Sequence, residues 1–251
     1  MTHQVQFFIT CLVDTLFPEI GLDAIEVLKR FNVEVACPSG QTCCGQPAFN
    51  AGLRQEAKKI AKHTIEVFEP TEGDIVIPSG SCCSMIRNHY GELFADEPAW
   101  QLRAEKFANR CYEFSEYLVD VLKIQEVPIS YPAKITYHPS CHLLRELGIA
   151  NQPLFLLQQI KEAELVPLPH AEECCGFGGV FSVEHPRLSN AFLERKLTNI
   201  AQSGADIVVT CDAGCMMNIN GGLAHRHQPI KAVHLAQILN QKLSKSPNSE
   251  Q

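Results

Sequence analysis

Apolar residues along this chain fall into two kinds of run, and the two kinds take turns. Residues 4–10, 32–36 and 74–77 are short stretches rich in β-branched and aromatic side chains, as buried strands are. Between them, Pro18-Glu19 opens a segment with Ile20, Ala24, Val27, Leu28 and Phe31 on one helical face. Residues 51–68 offer Leu53, Ala57, Ile60, Ile65 and Phe68 to a core in the same way. Strand, helix, strand, helix, strand predicts a parallel sheet with right-handed crossovers.

The alternation restarts after residue 133. Strands are expected at 134–137, 164–166, 206–210 and 231–233, helices at 153–160, 186–202 and 234–242, and a frayed tail at 244–251. Between the halves, Trp100, Ala104, Phe107, Cys111, Phe114, Leu118 and Val121 recur at alternating steps of four and three, the stripe of one or two bridging helices. Cys111 on that stripe reads as a small buried hydrophobe. The expected fold class is α/β: two duplicated Rossmann-like domains with small parallel sheets flanked by helices, related by a pseudo-twofold and joined by a helical linker. The expected limits are 1–96 for the first domain, 97–132 for the connector and 133–251 for the second domain.

Composition narrows the function. Hydrophobic residues make up 45% of the 251, enough for real cores. A formal charge of -7 without a basic run argues against nucleic acid as a partner. No apolar stretch approaches the roughly 20 residues of a membrane span, and the first residues do not read as a signal peptide, so a reducing cytoplasm is expected. In that compartment the twelve cysteines point to metal ligation or redox chemistry, not a disulfide framework.

The cysteines carry the duplication. Cys11, Cys43, Cys44 and Cys82 are separated by 31, 0 and 37 residues, and Cys141, Cys174, Cys175 and Cys215 by 32, 0 and 39. Both adjacent pairs are followed by glycine, at Gly45 and Gly176. Each cysteine of the first set follows a predicted strand, and ligands of parallel sheets sit beyond the strands' carboxyl ends. Four thiolates gathered this way suit tetrahedral zinc or an iron–sulfur cluster. Structural zinc usually draws on close ligand pairs, whereas here separate loops and one adjacent pair contribute. Neighbouring cysteines chelate a single ion awkwardly but can grip different irons of a cluster. Zinc stays open for the second site.

Cys43-Cys44-Gly45-Gln46-Pro47, Pro78-Ser79-Gly80-Ser81-Cys82, Cys174-Cys175-Gly176-Phe177-Gly178-Gly179 and Cys215-Met216-Met217-Asn218 together resemble the CCG-domain (cysteine-rich domain) family, over nearly the whole chain. That family includes the cysteine-rich subunit of heterodisulfide reductase and the iron–sulfur subunit of glycolate oxidase. Within it, the motifs are most similar to the branch serving bacterial L-lactate oxidation. The resemblance implies 4Fe-4S type clusters, of unusual non-cubane shape in some members, one per repeat. It implies electron transfer from lactate within an oxidoreductase complex whose companion subunits include a ferredoxin-type iron–sulfur protein. By position, Cys11, Cys43, Cys44 and Cys82 match one motif, and Cys141, Cys174, Cys175 and Cys215 the other. The broader family closes each motif with Cys-x-x-Cys, but Ser79 and Asp212 stand three residues before Cys82 and Cys215 here. Neighbouring Cys83 or Cys211 would be the substitutes for a fifth thiolate, and His138 and His142, flanking Cys141, are further candidates for ligation or for hydrogen bonds to cluster sulfur.

No ferredoxin run, Gly-x-Gly-x-x-Gly loop or acid–base pair stands out, so electron abstraction from a hydroxy acid is expected to need another subunit. Phe177, Phe181, Met216 and Met217 are the expected apolar docking contribution, against a simpler role in the core. The rival functions are a thiol or disulfide reductase subunit, a glycolate-oxidising complex subunit, and a scaffold with structural zinc in the second site.

Overall fold

The computed structural model describes residues 3–241. The first half forms a parallel sheet from β1 (His3–Phe7), β2 (Val33–Ala36), β3 (Asp74–Ile77) and β4 (Cys111–Glu113), in the order β2-β1-β3-β4. The second half repeats it with β5 (Lys134–Tyr137), β6 (Glu164–Leu165), β7 (Ile207–Thr210) and β8 (Lys231–His234), in the order β6-β5-β7-β8. The expected class, two small parallel sheets flanked by helices, is what the chain adopts, and the repeated strand order extends the duplication from cysteine spacing to topology.

Each sheet is covered on both faces, as parallel sheets require. Phe7, Val76 and Val209 enter a core shared by the two halves, where they meet Leu28, Tyr137, Leu156 and Leu235. The alternate positions turn away: Phe8, Ile75 and Ile77 pack with Ala57 and Ile65 in the first half, and Val208 packs with Leu197 and Ile200 in the second. This period-two division explains why the strands read as nearly continuous apolar runs. The helix Leu235–Leu239 returns to the first half, where Arg30 donates to the Leu239 carbonyl at 2.7 Å and Asn240 to Asp23 at 2.7 Å.

Four expectations need correction. Residues 97–132 are not helical connector alone: after the helix Pro98–Ala108, Cys111–Glu113 pairs with β3 as the fourth strand of the first sheet. The four-three stripe arose because one helix, one strand and the following turns supply residues to neighbouring apolar clusters. Cys111 is buried, as read, but in register with Ile75. Leu53 precedes its helix (Arg54–Phe68) and is 53% exposed. The loops expected around Cys82 and Cys215 are the first turns of helices Gly80–Ser84 and Ala213–His225. The closing helix ends before the expected residue 242, which lies with the tail at 244–251 outside the described residues.

Candidate metal centre

Both halves build their thiols from the same strand-to-helix turns. Cys11 opens the helix Cys11–Leu16 beyond β1, and Cys82 sits in the first turn of Gly80–Ser84 beyond β3. Cys141 precedes the short helical turn His142–Glu146 beyond β5, and Cys215 sits in the first turn of Ala213–His225 beyond β7. The adjacent pairs come from the loops after β2 and β6, where Gly45 and Gly176 adopt left-handed φ of 87° and 88°. That turn swings each glycine N–H back onto the thiol two residues earlier, Gly45 to Cys43 Sγ at 3.4 Å and Gly176 to Cys174 Sγ at 3.3 Å. A residue with Cβ pays a steric penalty at such φ, which is the physical content of the Cys-Cys-Gly signature.

All eight cysteines line one cavity between the halves, with an empty volume of about 870 Å³, open mouth included. Within it the thiols form two contact chains, Cys11–Cys43–Cys44–Cys82 and Cys141–Cys174–Cys175–Cys215, and Cys175 Sγ lies 3.3 Å from Cys215 Sγ. Cys43 is held well below the ordinary thiol range by hydrogen bonds from Cys11 and Cys44, aided by Gly45 N–H. Cys174 is lowered in the same way by Cys141, Cys175 and Gly176 N–H. Cys11 and Cys141 are pushed up because each donates to its lowered neighbour, and Cys44 and Cys175 are raised by the corresponding bonds and by burial. The bonding within each set thus favours the thiolate, the form that binds metal. Soft donors gathered in this way fit a thiophilic metal or an iron–sulfur cluster.

The remaining candidates separate. Cys83 is buried among the aliphatic and aromatic side chains of the first half, and Cys211 faces the Tyr137 hydroxyl at 3.7 Å; neither lines the cavity. The positions preceding Cys82 and Cys215 meet each other: Asp212 Oδ2 accepts from Ser79 Oγ at 3.2 Å and from Ser81 N–H at 3.0 Å. His142 borders the cavity with Nδ1 3.7 Å from Cys141 Sγ. His138 is buried behind the second set, with one ring nitrogen and the Cys175 and Cys215 sulfurs all within 4.8 Å of one another. Burial, reinforced by the Lys196 cation, lowers its pKa to about 3 and keeps the ring neutral.

Several neighbours of the site escaped sequence reasoning. The Tyr90 hydroxyl donates to the Cys44 carbonyl at 2.8 Å, and Asn218 makes the equivalent bond to the Cys175 carbonyl at 2.8 Å. Lys196 is fully buried, donates to the Ala171 carbonyl at 2.9 Å, and has its pKa lowered to about 8 by burial, opposed by Cys175, Glu173 and Cys174. Its signal was legible: it lies on the buried face of helix Pro186–Ser203 with Leu197 and Ile200, where a lysine needs a reason. Of the expected docking residues, Met216 is buried in the core. Phe177, Phe181 and Met217 are half-buried, with Phe177 lining the cavity; the exposed Val183, Leu188 and Phe192 lie nearby in sequence, Phe192 has its ring 6.5 Å from that of Phe181, and Phe181 packs on Gly178 at the cavity wall.

Comparison with known proteins agrees with this geometry. A family profile described as CCG, cysteine-rich domain, matches residues 5–87 and 135–220, one match per half. Proteins called lactate utilization protein A are similar over almost the full length. The one from Halalkalibacterium halodurans is 47% identical over 237 residues, covering 94% of this chain and 96% of its own. The Exiguobacterium sp. protein is 47% identical over 94% of this chain and 97% of its own, and the Shouchella clausii protein 46% identical over 95% and 99%.

Proposed function

The chain belongs to the CCG cysteine-rich domain family, and from that premise we propose that it is the iron–sulfur electron-transfer subunit of a complex oxidising L-lactate to pyruvate. The observation carrying the proposal is the convergence of two four-thiol sets on one cavity at the strand ends. Cys11, Cys43, Cys44 and Cys82 would hold one cluster, and Cys141, Cys174, Cys175 and Cys215 the other. A cluster of the 4Fe-4S type, when bound, supplies reversible one-electron chemistry. The protein's own part is to gather the thiols, to favour the ionised form of Cys43 and Cys174 through bonds from the neighbouring thiols with help from the glycine N–H groups, and to brace the paired cysteines through Tyr90 and Asn218.

Lactate gives up two electrons and two protons on becoming pyruvate, and this reading places that step on companion subunits, one of them a ferredoxin-type iron–sulfur protein. The names of the relatives support lactate, and not glycolate, as the organic donor. The exposed Val183, Leu188 and Phe192 beside the cavity wall support docking of such a subunit. Among the described residues no helix is long and apolar enough to cross a membrane; residence in the cytoplasm is part of the proposal.

A second reading is favoured by the shared cavity: a small disulfide entering it would meet both thiol sets, as a thiol–disulfide reductase subunit would need. Iron and acid-labile sulfide per chain after anaerobic purification test the cluster assignment. Lactate-dependent bleaching of the clusters with the companion subunits present, against reduction of a disulfide by the reduced chain, separates the two readings. A chain that oxidises lactate alone at the rate of the complex would sink the electron-relay assignment.

A further inference from the structure

The duplication provides an internal control at the position three residues before the first cysteine of each set. Phe8 and His138 occupy that position, and their backbones are equivalent: the Phe8 amide donates to the Val76 carbonyl at 3.0 Å, and the His138 amide to the Val209 carbonyl at 2.8 Å. In the first half the slot is purely apolar. Phe8 is fully buried and stacks on Phe68 with ring centroids 5.6 Å apart. In the second half an imidazole occupies it at 1% exposure, and neither Nδ1 nor Nε2 has a hydrogen-bond partner. Leaving a buried polar group unpaired costs about 1–3 kcal/mol, so a slot that phenylalanine fills in one half has no packing reason to hold histidine in the other.

The ring aims at chemistry. One of its nitrogens, Cys175 Sγ and Cys215 Sγ lie within 4.8 Å of one another, all from buried residues. The three come from separate elements: the end of β5, the loop after β6, and the first turn of helix Ala213–His225. Two thiols and an imidazole gathered from three elements form a ligand set of the Cys/His kind that suits zinc or iron. The first half has no nitrogen at the matching position.

We infer that His138 is a nitrogen ligand of the second site, which makes that site a mixed thiolate–imidazole centre while the first is built from thiolates alone. The inference rests on the metal-binding reading of the cavity but not on which metal fills it.

The test uses the full chain, prepared anaerobically and freed of metal, with cobalt(II) as the probe, because its visible ligand-field bands distinguish nitrogen from sulfur donors. Cys43→Ser and Cys44→Ser are present in every sample, so that only the second set reports. Against that background, His138→Phe is expected to lower cobalt affinity at least about tenfold and to move the bands to those of a set without nitrogen. His138→Gln, which keeps a polar group in the slot, is expected to do the same. Phenylalanine is the residue this position holds in the first half, and circular dichroism checks that each variant folds. Unchanged affinity and bands in the variants overturn the inference. One measurement needs no substitution at His138: zinc added to the otherwise unaltered chain should shift one His138 ring-nitrogen resonance, and the absence of a shift also overturns it. Failure of the wild-type chain to take up iron and sulfide would instead remove the iron–sulfur reading and leave the cobalt and zinc results standing.

Discussion

Ser79 Oγ donates to Asp212 Oδ2 across 3.2 Å, tying the N-cap of the Cys82 helix to the N-cap of the Cys215 helix. The same carboxylate oxygen accepts Ser81 N–H at 3.0 Å, while Oδ1 accepts Gly214 N–H at 3.1 Å. One buried side chain therefore orients the helix starts that carry a thiol of each set. Ser79 in turn accepts Cys82 N–H at 3.3 Å. Two residues that looked like departures from a cysteine motif join the halves.

Removing that link has a graded cost. Ser79→Ala deletes one cap and should destabilise by about 1 kcal/mol. Asp212→Ala strands three donors and should cost about 2–3 kcal/mol. Because the side chains share a bond, the double variant should fall short of the sum by at least about 0.5 kcal/mol. Urea unfolding of the four chains measures this, and strict additivity would show that the bond carries no energy.

The thiols divide by whether they line the cavity. Cys43→Ser or Cys174→Ser removes the thiolate at the centre of a set and should abolish iron binding in that half, read as iron per chain and visible absorbance. Cys83→Ala, Cys111→Ala and Cys211→Ala should leave iron content unchanged, with stability falling through lost packing alone. Full iron in the Cys43 and Cys174 variants would refute the ligand assignment.

How far this was legible in the sequence follows from the range of the forces. Residues 74–77 and 134–137 read as strands because a β-branched run buried on both faces leaves a local trace, and the structure keeps both bounds. The two cysteine sets were legible because the duplication preserved spacing. Cys111–Glu113 was not, since three residues are too short for a period and pairing with Ile75, Val76 and Ile77 decides their state. The Ser79–Asp212 bond, spanning 133 positions, has no local signature at all. Nor did the spacing tell that two sites, read as one per repeat, would open on a single cavity.

The Cys-Cys-Gly glycines are alike in backbone and unlike in surroundings. A Cβ at Gly45 would lie 3.5 Å from the Ala57 carbonyl, an ordinary contact, whereas at Gly176 it would come within 2.4 Å of the Ser189 carbonyl oxygen. Gly45→Ala should therefore cost about 1–2 kcal/mol for the left-handed backbone alone. Gly176→Ala should cost clearly more and loosen the second site first, because helix Pro186–Ser203 must move away. Thermal melts rank the two, and equal losses would contradict the clash.

Lys196 places a buried cation in the field of Cys174, Cys175 and Cys215. A positive charge near a metal centre stabilises the added electron. Lys196→Met, which keeps the length and loses the charge, should lower the reduction potential of the second site and leave the first in place. An anaerobic redox titration followed by electron paramagnetic resonance reads both, and an unchanged second potential would rule this role out.

Glu113 sets the sign of a pH effect. It is fully buried at the end of β4, accepts Ser115 N–H at 2.7 Å, and leaves Oε1 without a partner. Burial raises its pKa from 4.5 to about 7, against the opposing hydrogen bonds from Ser115 and Glu116. Between those values the folded chain retains a proton that the unfolded chain has released, so Glu113 lowers stability as pH rises through the window and adds no further slope above it. His138 and His234 act in the opposite sense, because burial lowers their pKa to about 3 and about 4, and their contribution is lost as pH falls below about 6.5. Comparing Glu113→Gln with wild type isolates the carboxyl, since the histidines are common to both. The variant retains an acceptor for Ser115 and cannot ionise. Its stability relative to wild type should rise between pH 5 and pH 8 by an amount on the order of 3 kcal/mol, visible as a growing difference in melting temperature. A difference that stays constant across that range would mean that Glu113 is already ionised at pH 5 in the folded chain.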